Sequence, residues 1–147
     1  MEGSLTILTI RSRDILANKN TDILLLSLKL ISTHFVNLDP IELLLEMASS
    51  RSQLMICSLI LKSRHGKFLL IGACLIEIIR PSNQVFLEYL VIHEQYWGCG
   101  FGMYMVTIIK DLSNFCRCHY LIVSANSGTE NFWMKKCGFL PLSKLQF

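Results

Sequence analysis

Two features of this chain could do chemistry. The first is a carboxylate, Glu88, set in the middle of the apolar run Val85-Phe-Leu-Glu-Tyr-Leu-Val-Ile92. Carboxylates seldom occur inside such runs. Burial raises a carboxyl pKa toward values that suit proton transfer near neutrality. Glu88 therefore reads either as a general base or as a structural carboxylate that bonds neighbouring backbone groups. The second feature follows directly: Gly98-Cys99-Gly100-Phe101-Gly102. Alternating glycines let a backbone turn tightly and approach a ligand. A helix that begins there offers unpartnered N–H groups and the positive end of its dipole, which favour an anion such as a phosphate. The pattern predicts a phosphate cradle between a strand and a helix.

Those residues must be positioned by a fold, and the chain supplies one. At 147 residues, with 52% hydrophobic residues, it is long and apolar enough for one domain, expected over 1–147. Apolar runs 23–31 and 68–76 are interrupted by Lys29 and ended by Glu77, too soon for a membrane span. Arg11, Arg13 and Asp14 break any signal-peptide pattern. An intracellular protein, cytoplasmic or nuclear, is expected, with no membrane partner. The net charge of +3 is spread thinly, which reads as a solvated surface rather than a nucleic-acid footprint. Six cysteines include no CxxC pair. Free thiols are expected and no metal, although His119 beside Cys116 and Cys118 is the one place a metal would be sought.

Alternation predicts a first strand over 4–10. Thr21-Asp22 caps a helix to about residue 35, and Asp39-Pro40 opens a second that stops near 49–50. Strands over 53–61, 68–79 and 85–92, separated by Ser63-Arg-His-Gly66 and Pro81-Ser-Asn83, make an antiparallel meander. The helix after the glycines carries Phe101, Met105, Ile108, Leu112 and Phe115 as its core stripe. A strand over 120–125, a short helix from Thr129 to Cys137 stopped by Gly138, and a last strand over 139–147 complete the order β-α-α-β-β-β-α-β-α-β. The fold class is α/β (α+β): a mixed central sheet with helices on both faces.

A dinucleotide fingerprint would need its third glycine at Met103, and a Walker loop needs Gly-Lys-Ser/Thr, so both fail on residues. The stretch from Leu87 to Gly102 instead resembles the signature LExLxVxPxYRGxGxG of the GNAT superfamily of acyl-CoA-dependent N-acyltransferases. Ile92, Tyr96, Gly98, Gly100 and Gly102 are in step with it. Phe132-Trp-Met-Lys-Lys-Cys-Gly-Phe139 resembles the same family's closing F-Y-x-K-x-G-F signature. The resemblance implies acetyl-CoA or another acyl-CoA as donor and a primary amine as acceptor. It implies pantetheine pairing with backbone near Val91 and Ile92, in a gap between splayed strands. The pyrophosphate would rest on N–H groups of Trp97, Gly98, Cys99, Gly100, Phe101 and Gly102, and Asn126 would bind pantetheine or order the last helix. Trp97 stands where the family usually has Arg or Gln. Met134, or Trp133, stands where it often has an acidic Tyr. The Gly-Phe signature is followed by room for one strand where the family has two.

Acyl transfer to an amine needs a base, because a lysine amine with pKa near 10.4 is almost wholly protonated at neutral pH. Glu88 is the choice, on one face with Phe86 and Leu90 by alternation. His93 and Glu94 are alternatives acting through water. Tyr96, Tyr104 and Tyr120 are candidates to reach the thiol sulfur, Cys99 a candidate thiolate, and Lys135 and Lys136 candidates for the CoA 3′-phosphate. Asp39, Glu42 and Glu46 are the acidic residues placed to greet a cationic acceptor. The expected function is acetyl transfer from acetyl-CoA to a protein or peptide amine. The alternative is a GNAT-fold acyl-CoA-binding module without turnover.

Overall fold

The structure, a computed structural model, describes residues 3–14, 20–35, 38–49, 53–126 and 128–141. The described elements are β1 (Gly3–Arg11), α1 (Thr21–His34), α2 (Pro40–Ser49), β2 (Gln53–Ser63), β3 (Phe68–Ile79), β4 (Gln84–Ile92), α3 (Phe101–Phe115) and β5 (Tyr120–Val123), followed by a π-helical turn, Phe132–Lys136. The sheet order is β1-β2-β3-β4-β5, antiparallel through β4 and parallel between β4 and β5. Residues 139–141 are irregular, and the remainder of the expected last strand lies outside the described residues.

Both faces of the sheet are covered, which is why β2 reads as a nearly unbroken apolar run and is buried from Leu54 to Ile60. On one face Met55, Cys57, Cys74, Ile76, Val85 and Leu87 pack beneath Met105, Val106, Ile109 and Trp133. On the other, Ile10, Leu54, Ile56, Leu75 and Val91 pack beneath Leu24, Leu28, Ile31, Leu43 and Met47 of α1 and α2. The hydroxyls of Ser27 and Ser58, both fully buried, bond each other at 2.7 Å and so satisfy two polar groups at the α1–β2 contact.

The local signals for α2 act as expected. Asp39 Oδ1 accepts the Ile41 N–H at 2.8 Å, and Pro40 takes the first helical position. At α1 the cap position belongs to Asn20 rather than Thr21. The stripe expected on α3 is corrected. Its buried residues are Met105, Val106, Ile109 and Ser113, whereas Ile108 is half-buried and Phe115 is 85% exposed. Ser113 takes an inward position because its hydroxyl donates to Ile109 O at 2.8 Å, so an apolar count could not see it.

Gly72 lies where α3 crosses the sheet. A Cβ there would stand 2.7 Å from Ile92 Cδ1, 2.8 Å from the Val91 carbonyl oxygen and 3.1 Å from the Met105 sulfur. Gly72→Ala is therefore expected to destabilise the protein by about 1–3 kcal/mol, the usual cost of overpacking, measured by urea unfolding.

Candidate active site

The site is made by a change of register within β4. Leu75 pairs with Tyr89 and Ile76 with Leu87, which leaves Glu88 as the extra residue of a β-bulge. A bulge bends its strand and steepens the twist. Pairing between β4 and β5 runs from Gln84↔Tyr120 to Leu87↔Val123 and stops there, one residue short of Glu88. β4 continues to Ile92 without β5 beside it. The two strands thus fork at Glu88.

Beyond the fork the outer edge of β4 is open. The His93 N–H donates to Ile71 O at 2.8 Å, which makes His93 a hydrogen-bonded partner of β3. Antiparallel pairing alternates, so Val91 also turns its backbone groups to β3, while Leu90 and Ile92 turn theirs to the open side. The edge residues are thus Leu90 and Ile92, and the expected edge role of Val91 is corrected. The bulge also breaks the alternation of side chains. Leu90 packs with the α3-side core and Tyr89 with the α1-side core. Glu88 therefore does not share a face with Leu90.

The loop after β4 turns through Glu94–Tyr96 before the glycines. Gly98 and Gly100 have φ of +79° and +84°, the left-handed region where only glycine is free of strain. A methyl group at either would meet no atom of the described residues within 4 Å. α3 begins with Gly100 at its cap, with no side-chain cap bond and no acidic residue in its first turn. Its first backbone bond is Tyr104 N–H to Gly100 O, so earlier N–H groups have no helical acceptor. Trp97 is 62% exposed, and its Nε1 donates to Ile92 O at 2.7 Å, which pins the loop to the end of β4. Gly102 serves a different purpose: its Cα side faces Phe132, with only 3.3 Å from an added Cβ to the ring. The two sequence signatures therefore touch. Lys110 donates to Cys137 O and ties α3 to the closing turn, where Gly138 adopts the expected left-handed φ of +78°.

Glu88 is half-buried, and its pKa rises from the ordinary 4.5 to about 7. Desolvation is the largest cause. Next come the charge of Glu77 and a side-chain hydrogen bond with it, then the charge of Glu46. The Tyr89 phenol is pushed up by burial, then by Glu88 and Glu46. Glu77 on β3 is the site residue that sequence reading missed, because only the bulge brings Glu88 beside it.

The other candidates are dispersed or otherwise engaged. Nδ1 of His93 accepts the Gln95 N–H at 3.3 Å, and the Glu94 side chain is 71% exposed. Tyr96 packs edge-on to Phe101 at the base of the loop, whereas Tyr104 and Tyr120 are exposed. Cys99 is exposed, and Cys118 is buried near half-buried Cys116. Among the described residues no three His, Cys, Asp or Glu side chains gather as a metal site. The Asn126 carbonyl accepts from the N–H and hydroxyl of Thr129, so that residue shapes the turn after β5. Ser127 lies outside the described residues. Trp133 is buried against Phe132 and Phe139, and Met134 is exposed. Lys135 and Lys136 lie on the exposed side of the last turn.

A raised carboxyl pKa has a stability consequence. Folding favours the neutral form of Glu88, so its contribution is present below pH 4.5 and is lost as pH rises through about 7. Glu88→Gln is expected to melt at a higher temperature than the parent at pH 8 and at nearly the same temperature at pH 4.5, read by circular dichroism.

The comparisons agree with this geometry. A family model described as "Acetyltransferase (GNAT) family" matches residues 30–139. No curated protein matches the chain. Among solved structures, Tetrahymena GCN5 superposes with a TM-score of 0.66 at 15% identity, covering 88% of this chain and 77% of that one. Aminoglycoside N-acetyltransferase AAC(6')-Iy in complex with CoA gives 0.67 at 11% identity, covering 100% and 95%. Ribosomal-protein-alanine N-acetyltransferase from Brucella melitensis biovar Abortus 2308 gives 0.63 at 11%, covering 98% of each chain. These structures share its fold, and with the family match across the fork, the glycine loop and the closing turn, the chain belongs to the acetyltransferase (GNAT) family.

Proposed function

We propose that this protein transfers an acetyl group from acetyl-CoA to a primary amine by direct attack, with Glu88 as general base. The observation that carries the reading is a half-buried carboxyl with a pKa of about 7 at the point where β4 and β5 part. An acyl-CoA fits the residues present. The uncapped start of α3 and the open space at Gly98 and Gly100 suit a diphosphate. The backbone amides of Trp97, Gly98, Cys99, Gly100, Phe101 and Gly102 would hold it. The free edge at Leu90 and Ile92 suits the amide groups of pantetheine, whereas Val91 turns its backbone to β3 and buries its side chain beneath α1 and α2. Asn126, at the end of β5, orders the turn that closes the far side.

The bound donor supplies an activated thioester. The chain's own work is to orient it and to manage protons. Glu88 accepts a proton from the ammonium of the acceptor, directly or through one water, and frees its lone pair. An N–H on the open edge of β4 is placed to stabilise the negative carbonyl oxygen as the amine adds. As the adduct collapses and the C–S bond breaks, the attacking nitrogen gives up its second proton to solvent. Trp133 and Met134 offer no acidic proton, so the leaving thiolate takes its proton from solvent as well. A thiol with pKa near 8.5 is a good enough leaving group for that.

The acceptor we assign to this site is a protein or peptide lysine or N-terminus. Support comes from the acidic residues Glu46 and Glu77, which attract a cationic amine beside Glu88. The fold itself serves both kinds of acceptor, since its relatives include ribosomal-protein-alanine and aminoglycoside N-acetyltransferases. The unit acts as one domain over 1–147, with acyl-CoA and the amine as its partners and no nucleic-acid or membrane contact required. Among the described residues no helix is long and apolar enough to cross a membrane. Acetyl-CoA dependence suits a place in the cytoplasm or nucleus.

Trp97 and Met134 favour a second reading, an acyl-CoA-binding module without turnover. Labelled acetyl-CoA with panels of peptides, polyamines and aminoglycosides separates the two. Under the enzyme reading, Glu88→Gln lowers kcat about 10²–10⁴-fold and leaves acetyl-CoA affinity unchanged. Binding without transfer to any amine supports the module. Gly100→Glu is expected to weaken acetyl-CoA at least about tenfold in calorimetry, because it places a carboxylate against the diphosphate. Unchanged affinity there refutes the cradle.

A further inference from the structure

We propose that Glu77 is a positioning residue for Glu88, and that the two carboxyl groups share one proton and act as a single base. This rests on Glu88 being the base. The geometry comes from the bulge. Glu77 pairs with Phe86 on the neighbouring strand, and Glu88, displaced from the ladder between Leu87 and Tyr89, reaches over the same face. There the two carboxyl groups are neighbours, and the charge of Glu77 and a side-chain hydrogen bond with it hold the Glu88 pKa up.

Two ionised carboxylates have only acceptor atoms, so such a bond needs a proton between them. The titratable groups that face Glu88 are Glu77 on β3, Glu46 on α2 and Tyr89 on its own strand. Among the described residues no Lys, Arg or His forms a salt bridge with either member of the pair. α1, which packs on the same face, brings no charged group to bear on Glu88. With no salt bridge to either carboxyl among the described residues, the first proton leaves readily and the second is retained toward neutrality. A base that titrates near the working pH is the most effective for proton transfer, and here a second carboxylate sets that value.

Two measurements test this. Carbon-13 NMR of the side-chain carboxyls follows both residues in the free protein, without turnover. The expected parent titration is coupled, with both resonances moving in two shared steps. In Glu77→Gln the amide donates to Glu88 and favours its ionised form, so Glu88 should titrate at least about one pH unit lower. Glu77→Asp, which keeps the charge, should recover most of that shift. The acid limb of kcat/KM should move with it, at unchanged acetyl-CoA affinity. A purely structural Glu77 would not move that limb.

The pairing is overturned if Glu77 and Glu88 titrate in independent single steps, or if Glu77→Gln leaves the Glu88 titration in place. If Glu77→Gln does not fold, the parent titration decides the matter: coupled steps support the pair and independent ones overturn it. Coupled titration combined with full transfer by Glu88→Gln would keep the pair and refute Glu88 as the base.

Discussion

One extra residue in β4 governs the rest of this structure. An unbulged β4 could continue its pairing with β5 and keep its side chains in strict alternation. With Glu88 displaced, three things happen at one place. The strand bends away from β5, the side chains beyond it exchange faces, and a carboxylate is left at the fork. Fork, exposed edge and raised carboxyl thus share a single cause. Leu87 on one side of the bulge and Val91 on the other are both buried, on opposite faces of the sheet, and they fix the strand at either end of the irregularity.

The surrounding core holds that irregularity in place. Helices on both faces clamp β3 and β4, and Gly72 leaves room for Ile92 and the Met105 sulfur to close over the end of the bulged strand. A side chain there would push β4 and α3 apart, so the absence of one is part of how the fork is set. At the other end of α3, Arg80 donates to Cys116 O at 2.7 Å and the His119 N–H to Asn83 O at 2.8 Å. These bonds place the start of β5 beside the start of β4. The strands are therefore joined where they begin and free where they end.

Much of this was written in local sequence. The meander follows from apolar runs punctuated by Ser63–Gly66 and Pro81–Asn83, and β3 has the bounds its pattern predicts. Asp39-Pro40 and Gly138 mark helix ends through caps whose geometry depends on only a few neighbours. The glycine loop was legible because φ > 0 leaves a residue-type trace. A bulge leaves none. Its position depends on the partner strand, so neither the Glu77–Glu88 contact nor the turning of Leu90 to the open edge could be read from alternation. Ser113 and Phe115 teach the same lesson on α3. A buried hydroxyl that bonds its own helix looks polar in sequence, and an aromatic one turn from the end looks like core. Tertiary contact overrides both.

In the proposed cradle Trp97 stands where the family resemblance leads one to expect Arg or Gln. An arginine would bring charge to the phosphates. Trp97 brings rigidity, since its indole N–H is spent on the Ile92 carbonyl and locks the loop against the strand. That bond has a second effect. It takes up the one acceptor of Ile92 that faces the open edge and leaves the N–H to a ligand. The glycines beyond it are already in left-handed conformations, and the helix start is uncapped, so donors stand in place before any ligand arrives. In the reading proposed above, affinity depends on preorganised amides, whose cost of ordering is met in folding rather than in binding. Such a cradle is less sensitive to salt than one built on an exposed arginine, because partial charges on fixed N–H groups act at contact distance, inside the screening length.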